Sequence, residues 1–194
     1  MMRLVVDSNV LFTYFWRNSA LNRILDHDVK LFSPEYALTE IEKHREEIIE
    51  KAKMKENDFS GYFYLLKQSV DFAPKSSYER YLEEAEKVAG YFSDAEKEEI
   101  RDDADFLALS MALGCPLWSN DALLKKQGKV AVFSTYEIIT LFSPKNPVSK
   151  KENFDDLIAW IKEKDKKFKG KREKIDYDLI AYGVSRNGKI SHKR

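Results

Sequence analysis

A chain of 194 residues with 43% hydrophobic and 13% aromatic content can bury one domain-sized core and is short for two. Its 33 basic and 33 acidic residues cancel, so net charge points to neither a polyanionic nor a membrane partner, and no apolar run approaches the ~18 residues of a membrane span. One cysteine, Cys115, excludes an internal disulfide framework and a cysteine-based zinc cage. The opening MMRLVVDSNVLF has no signal-peptide cleavage pattern and reads as a strand, so the expected location is cytoplasmic.

Taken in order, Arg3 to Val6 is a short apolar run suited to a buried strand. Leu11, Phe12, Tyr14, Phe15 and Trp16 form a helix-like patch. Val29 to Phe32 predicts a second strand, stopped by Ser33-Pro34. A long charged helix is expected from Glu35 to about Met54, with Ala37, Leu38, Ile41, Ile48 and Ala52 at helical period. Further elements are a helix over Asp58 to Ser69, a strand over Val70 to Ala73, and a helix over Ser77 to Tyr91. Asp103 to Leu113 is apolar after its acidic start and reads as a buried helix. Leu117-Trp118 and Val130 to Phe133 read as short strands. Strands alternating with helices predict βαβ units on a parallel sheet with right-handed crossovers.

The neutral total hides two halves. Residues 143–194 hold 15 basic and 8 acidic residues, a balance of +7, which leaves −7 on residues 1–142. Pro144 and Pro147 punctuate the boundary. Two units follow: a core over 1–142 and a basic C-terminal extension over 143–194. Within the extension, Phe154, Leu157, Ile158, Trp160 and Ile161 suggest a short amphipathic helix. The stretch from Lys162 to Lys174 carries Lys166, Lys167, Lys169, Lys171 and Arg172, with Phe168 among them. Such a run either meets a phosphate backbone or is simply solvated.

In an open parallel sheet ligands bind beyond the carboxyl ends of the strands. Asp7 follows one strand, and Ser119-Asn120-Asp121 follows another and precedes a helix-like ALLKK. Each acid alone reads as a turn or helix cap. Both at strand ends of one sheet would converge, and carboxylates gathered without basic neighbours call for a divalent cation. A third acidic group is Asp102, Asp103 and Asp105, more than capping requires. Glu40 or Glu42, on opposite edges of the Ala37–Ile41–Ile48 stripe, is the fourth candidate; the bland reading of both is solvated surface charge. His27, His44 and His192 form no pair at metal-binding spacing, and Cys115 reads as a small buried hydrophobe. Tyr62, Phe63 and Tyr64 read as core or as a contact between copies.

VVDSNVLF resembles the opening of PIN-domain nucleases, a short strand ending in Asp. DDADFLALSMALGCPLWSND resembles their later signature: an Asp, an Ala/Leu-rich helix, and a strand ending in Ser or Thr, any residue, then Asp. The 18-residue spacing from Asp103 to Asp121 matches without a gap, whereas Asp105 falls two short. Thr39-Glu40-Ile41 fits the family's helical acid followed by an aliphatic residue, and Glu42-Lys43 does not. The resemblance covers about residues 3–142.

It implies a three-layer α/β/α sandwich around a central parallel sheet, and hydrolysis of phosphodiester bonds, RNA more than DNA, with Mg²⁺ or Mn²⁺. Asp7, Asp103 and Asp121 would ligate the metal. Glu40 would bind a second metal or position the attacking water. Ser119 would support a ligand carboxylate. Frequent pairing in the family and the apolar GYFYLL segment imply a homodimer. A toxin role would add an antitoxin protein as partner; an RNA-processing role would not. The rivals are a non-catalytic nucleic-acid-binding module on the same fold and a receiver-type domain. Receivers usually pair two acids near the first strand, and this N-terminus has only Asp7.

Overall fold

In the computed structural model the described residues are 1–17 and 19–142; the basic extension lies outside them. The N-terminal apolar run forms β1 (Met2–Val6), with Leu4, Val5 and Val6 fully buried. A strand covered on both faces needs no polar alternation, which is why it reads as a continuous run. Then follow α1 (Ser8–Phe12), a 3-10 turn over Thr13–Phe15, α2 (Ala20–Leu25) and β2 (Val29–Pro34). Three helices, α3 (Tyr36–Lys43), α4 (Arg45–Ala52) and α5 (Glu56–Ser69), lead to β3 (Val70–Ala73). The chain returns through α6 (Leu82–Val88), α7 (Asp94–Asp102) and α8 (Ala104–Leu113) to β4 (Leu117–Trp118). It continues with β5 (Val132–Phe133) and α9 (Thr135–Leu141).

All five strands are parallel, in the order β3-β2-β1-β4-β5. With right-handed crossovers, α1 to α5 lie on one face of the sheet and α6 to α8 on the other. The result is the expected α/β/α sandwich. α8 packs along β1, β2 and β4, and residues Phe106 to Ser110 are all buried. Gly114 ends α8 in the left-handed region (φ 58°), where a glycine carries no Cβ penalty. Among the described residues no helix is long and apolar enough to cross a membrane.

Several local expectations need correction. β2 runs through Ser33 and Pro34 instead of stopping before them. The Glu35 N–H donates to the Ala73 carbonyl at 2.9 Å, so alternation aims the Pro34 nitrogen at β1, which has already ended at Val6. No ladder bond is lost there. The single helix expected over 35–54 is two, α3 and α4, broken at His44 (ψ 15°). No proline or glycine marks the break, and the His44 ring rests on Phe12 at 5.4 Å. Of the helix expected over 77–91, only Leu82 to Val88 is α-helical, flanked by 3-10 turns. The segment after Asp121 is a series of turns rather than a helix. Asp103 does not open a helix alone but sits at a hinge between α7 and α8. In the GYFYLL segment, Phe63 is buried and stacks on Phe59, while Tyr62, Tyr64 and Leu65 are exposed.

Candidate functional site

The strand order reverses between β1 and β4: the chain builds outward from β1 to β3, then restarts on the other side. Such a switch point leaves a crevice beyond the carboxyl ends of the two central strands. Register places Val6 opposite Trp118, so the next residues, Asp7 and Ser119, emerge side by side. The Asp7 N–H still donates to the Trp118 carbonyl at 3.2 Å, and the Ser119 N–H to that of Phe133 at 3.0 Å.

Asp7 is 4% exposed and caps α1, its Oδ1 accepting the Val10 N–H at 2.7 Å. The capping reading is therefore correct but incomplete. Burial above all pushes its carboxyl up to about 6, and the charges of Asp121 and Glu40 push the same way. Hydrogen bonds from the Ser119 hydroxyl and the Val10 N–H offset part of this. Ser119, wholly buried, links two of the acids: its hydroxyl donates to Asp7, and its oxygen accepts the Asp121 N–H at 3.0 Å. Asp121 in turn caps its own turn, accepting the N–H groups of Leu123 and Leu124.

Asp103 reaches the same crevice from the α7–α8 hinge. Its carboxyl is pushed up to about 7, first by burial and then by the charges of Asp121, Asp7, Glu40 and Asp102. Every leading influence on it opposes ionisation. Asp105 is occupied elsewhere, accepting the hydroxyl of buried Tyr78 at 2.7 Å. Glu40 lies on α3, half-buried, and accepts hydrogen bonds from the Ser8 hydroxyl and from Tyr36. Glu42 faces away and pairs with Arg45 at 3.6 Å. The structure thus brings Asp7, Glu40, Asp103 and Asp121 within reach of one another's charge.

Two members of the crevice have no counterpart in the sequence reading. Ser8, next to Asp7, reaches across to Glu40. Tyr36 stands one helical turn before Glu40, on the same face. Burial and the nearby carboxylates Glu40, Asp103 and Asp102 hold its hydroxyl protonated, well above the usual range. The i, i+4 spacing was the available signal. Of the other candidates, Cys115 is buried and its thiol pushed up to about 12, as an inert core residue. Lys166, Lys167, Lys169, Lys171 and Arg172 lie outside the described residues.

The structure is thus an all-parallel α/β sandwich with four acids at its switch point. A family model described as PIN domain matches residues 5–143, and the chain belongs to that family. No curated protein matches the chain significantly.

Members of this family generally use divalent metals, and the donor set suits one. Oxygen-only donors, with burial and neighbouring charge opposing the ionisation of Asp7 and Asp103, match a hard cation. Among the described residues, no three His, Cys, Asp or Glu side chains are already drawn together at coordinating geometry. Three of the four carboxylates turn to local donors: Val10 for Asp7, Leu123 and Leu124 for Asp121, Ser8 and Tyr36 for Glu40.

Proposed function

We propose that the chain is a metal-dependent nuclease that hydrolyses phosphodiester bonds, in RNA rather than DNA, at the β1–β4 crevice. One observation carries this reading: Asp7, Asp121 and Asp103 meet beyond the carboxyl ends of β1 and β4, close enough for their charges, with that of Glu40, to join burial in opposing the ionisation of Asp7 and Asp103. A fold does not gather buried like charges for stability; perturbed acids in a cleft mark sites of chemistry. RNA is preferred because the family acts mostly on it.

In this reading Asp7, Asp103 and Asp121 would hold Mg²⁺ or Mn²⁺. A bound divalent cation supplies Lewis acidity toward the phosphate oxygens and a more acidic water. Glu40, steadied by Ser8 and Tyr36, orients the attacking water and takes its proton. The water oxygen bonds to phosphorus, the bond from phosphorus to the leaving sugar oxygen breaks, and that oxygen takes up a proton from solvent to leave as an alcohol. Ser119 keeps Asp7 turned toward the crevice, which the Asp7 cap on α1 also requires. The buried strand ends limit water around the reacting group.

The test uses end-labelled RNA and DNA oligonucleotides with the full chain in Mn²⁺, in Mg²⁺ and in EDTA. Cutting of RNA that needs the metal and vanishes in Asp121→Asn supports the proposal. Binding without cutting in either metal assigns the non-catalytic alternative. Cutting that persists in EDTA or in Asp121→Asn contradicts the site.

A further inference from the structure

We propose that Tyr36 and Tyr136 are stacking platforms on either side of the acid crevice, each taking an unpaired nucleobase of the substrate. This rests on the nuclease reading and adds two residues that position the strand.

The placement follows from topology. Tyr36 opens α3 directly after β2, and Tyr136 stands in the first turn of α9 directly after β5. Between β2 and β5 lie β1 and β4, which carry Asp7 and the Asp121 turn. At ~4.8 Å per strand the two tyrosines flank the acids across ~14 Å of sheet edge, a few steps of an extended strand.

Both rings are exposed; the Tyr36 ring is itself anchored, and the Tyr136 ring stands on an anchored turn. Tyr36 is 39% exposed, its hydroxyl donates to Glu40, and its ring leans on Phe106 with centroids 6.1 Å apart. Tyr136 is 78% exposed on a turn whose other members are committed. The Thr135 hydroxyl accepts from Trp118 Nε1 and from the Asn120 amide, each at 3.0 Å, and the Thr135 N–H donates to Asn120 at 2.9 Å. Glu137 caps Ser134 and pairs with Lys125, and Ile138 is buried. Asn120 immediately precedes Asp121, so this clamp fixes the base of Tyr136 against the acid turn.

Isolated exposed aromatics are ordinary on protein surfaces. Tyr91 beyond α6 fits that description, and Tyr62 and Tyr64 lie on α5 in the GYFYLL segment, away from the acids. Tyr36 and Tyr136 differ by standing at the carboxyl edge on elements tied to the acids. An exposed aromatic face accepts any unpaired base, whereas a duplex keeps its bases stacked inside.

Fluorescence anisotropy of a labelled RNA strand reads binding, on the full chain carrying Asp7→Asn to stop cutting, in Mg²⁺ and in EDTA. Tyr36→Ala and Tyr136→Ala are expected to weaken binding about fivefold to a hundredfold each, while Tyr136→Phe binds as the parent does. The same strand annealed into a duplex should bind no better than the alanine variants bind the single strand. Equal affinity of parent and both alanine variants, or tighter binding of the duplex, overturns the proposal. Cutting by the unsubstituted chain in Mn²⁺ is scored separately, so loss of cutting with intact stacking indicts the nuclease reading, and the reverse indicts the tyrosines.

Discussion

At the scale of the residue, Asp7 shows how one side chain serves fold and site at once. It caps α1 and it is a buried carboxyl among other carboxyls. Asp7→Asn keeps an oxygen for the Val10 N–H and removes the charge. The sign of the stability effect follows from the raised value. An acid near 6 in the fold and 3.8 outside it costs nothing while protonated in both states, and costs progressively more as pH rises from 3.8 through about 6. The gap corresponds to about 3 kcal/mol as an upper figure. Without metal, Asp7→Asn should therefore melt above the parent at about pH 8, with the advantage shrinking toward about pH 4, and should not cut RNA. Thermal melting across that range checks it; a variant that melts lower at the alkaline end contradicts the buried-charge account. Asp7 and Asp121 are legible because Asp7 directly follows the apolar β1 and Asp121 closes the polar Ser119-Asn120-Asp121 run that follows β4. The family resemblance favours Asp103 over Asp105 through the 18-residue spacing to Asp121; the bond from Tyr78 that occupies Asp105 joins residues 27 apart and leaves no local trace in the sequence.

At the scale of the element, the turn after β4 holds the crevice together. Ser119 donates to Asp7 and accepts from Asp121, while Asn120 clamps α9. Ser119→Ala leaves a buried carboxylate one donor short, which raises the Asp7 value further and frees its orientation. The expected result is a 10- to 100-fold loss of Mn²⁺ affinity by calorimetry, the range typical of supporting hydrogen bonds behind metal ligands. An unchanged affinity would remove Ser119 from the site. Strand positions were readable because buried parallel strands are short apolar runs, and β3 falls where expected, at Val70–Ala73. The helix pattern misled where tertiary contacts decide. The apolar period runs unbroken through His44, yet the chain bends there over Phe12. The acidic α7 was missed because its face is charged apart from buried Ile100, so it has no stripe to read. α9 was missed although Ser134 and Glu137 form a capping box, a local signal that was present in the sequence.

At the scale of the whole molecule, charge is divided along the chain: −7 over residues 1–142, which carry the crevice, and +7 over residues 143–194. An acidic core repels a polyanion everywhere except at a bound cation, so we propose that the basic extension supplies phosphate contacts through counterion release. Changing Lys166, Lys167 and Lys169 together to Gln in the full chain should weaken RNA binding and flatten the logarithmic salt slope by about 2, at ~0.7 per contact on single strands. Unchanged affinity and slope would leave the run as a solvated segment, while turnover at saturating RNA should not move in either case. The central claim is that Asp7, Asp103 and Asp121 hold a divalent cation in the crevice. It is tested most directly by a crystal of the full chain grown with Mn²⁺ and an anomalous difference map. The predicted result is a peak beyond the carboxyl ends of β1 and β4, with oxygens of Asp7 and Asp121 at ~2.0–2.6 Å and Asp103 beside them. Manganese bound elsewhere on the chain, with that crevice empty, would contradict it.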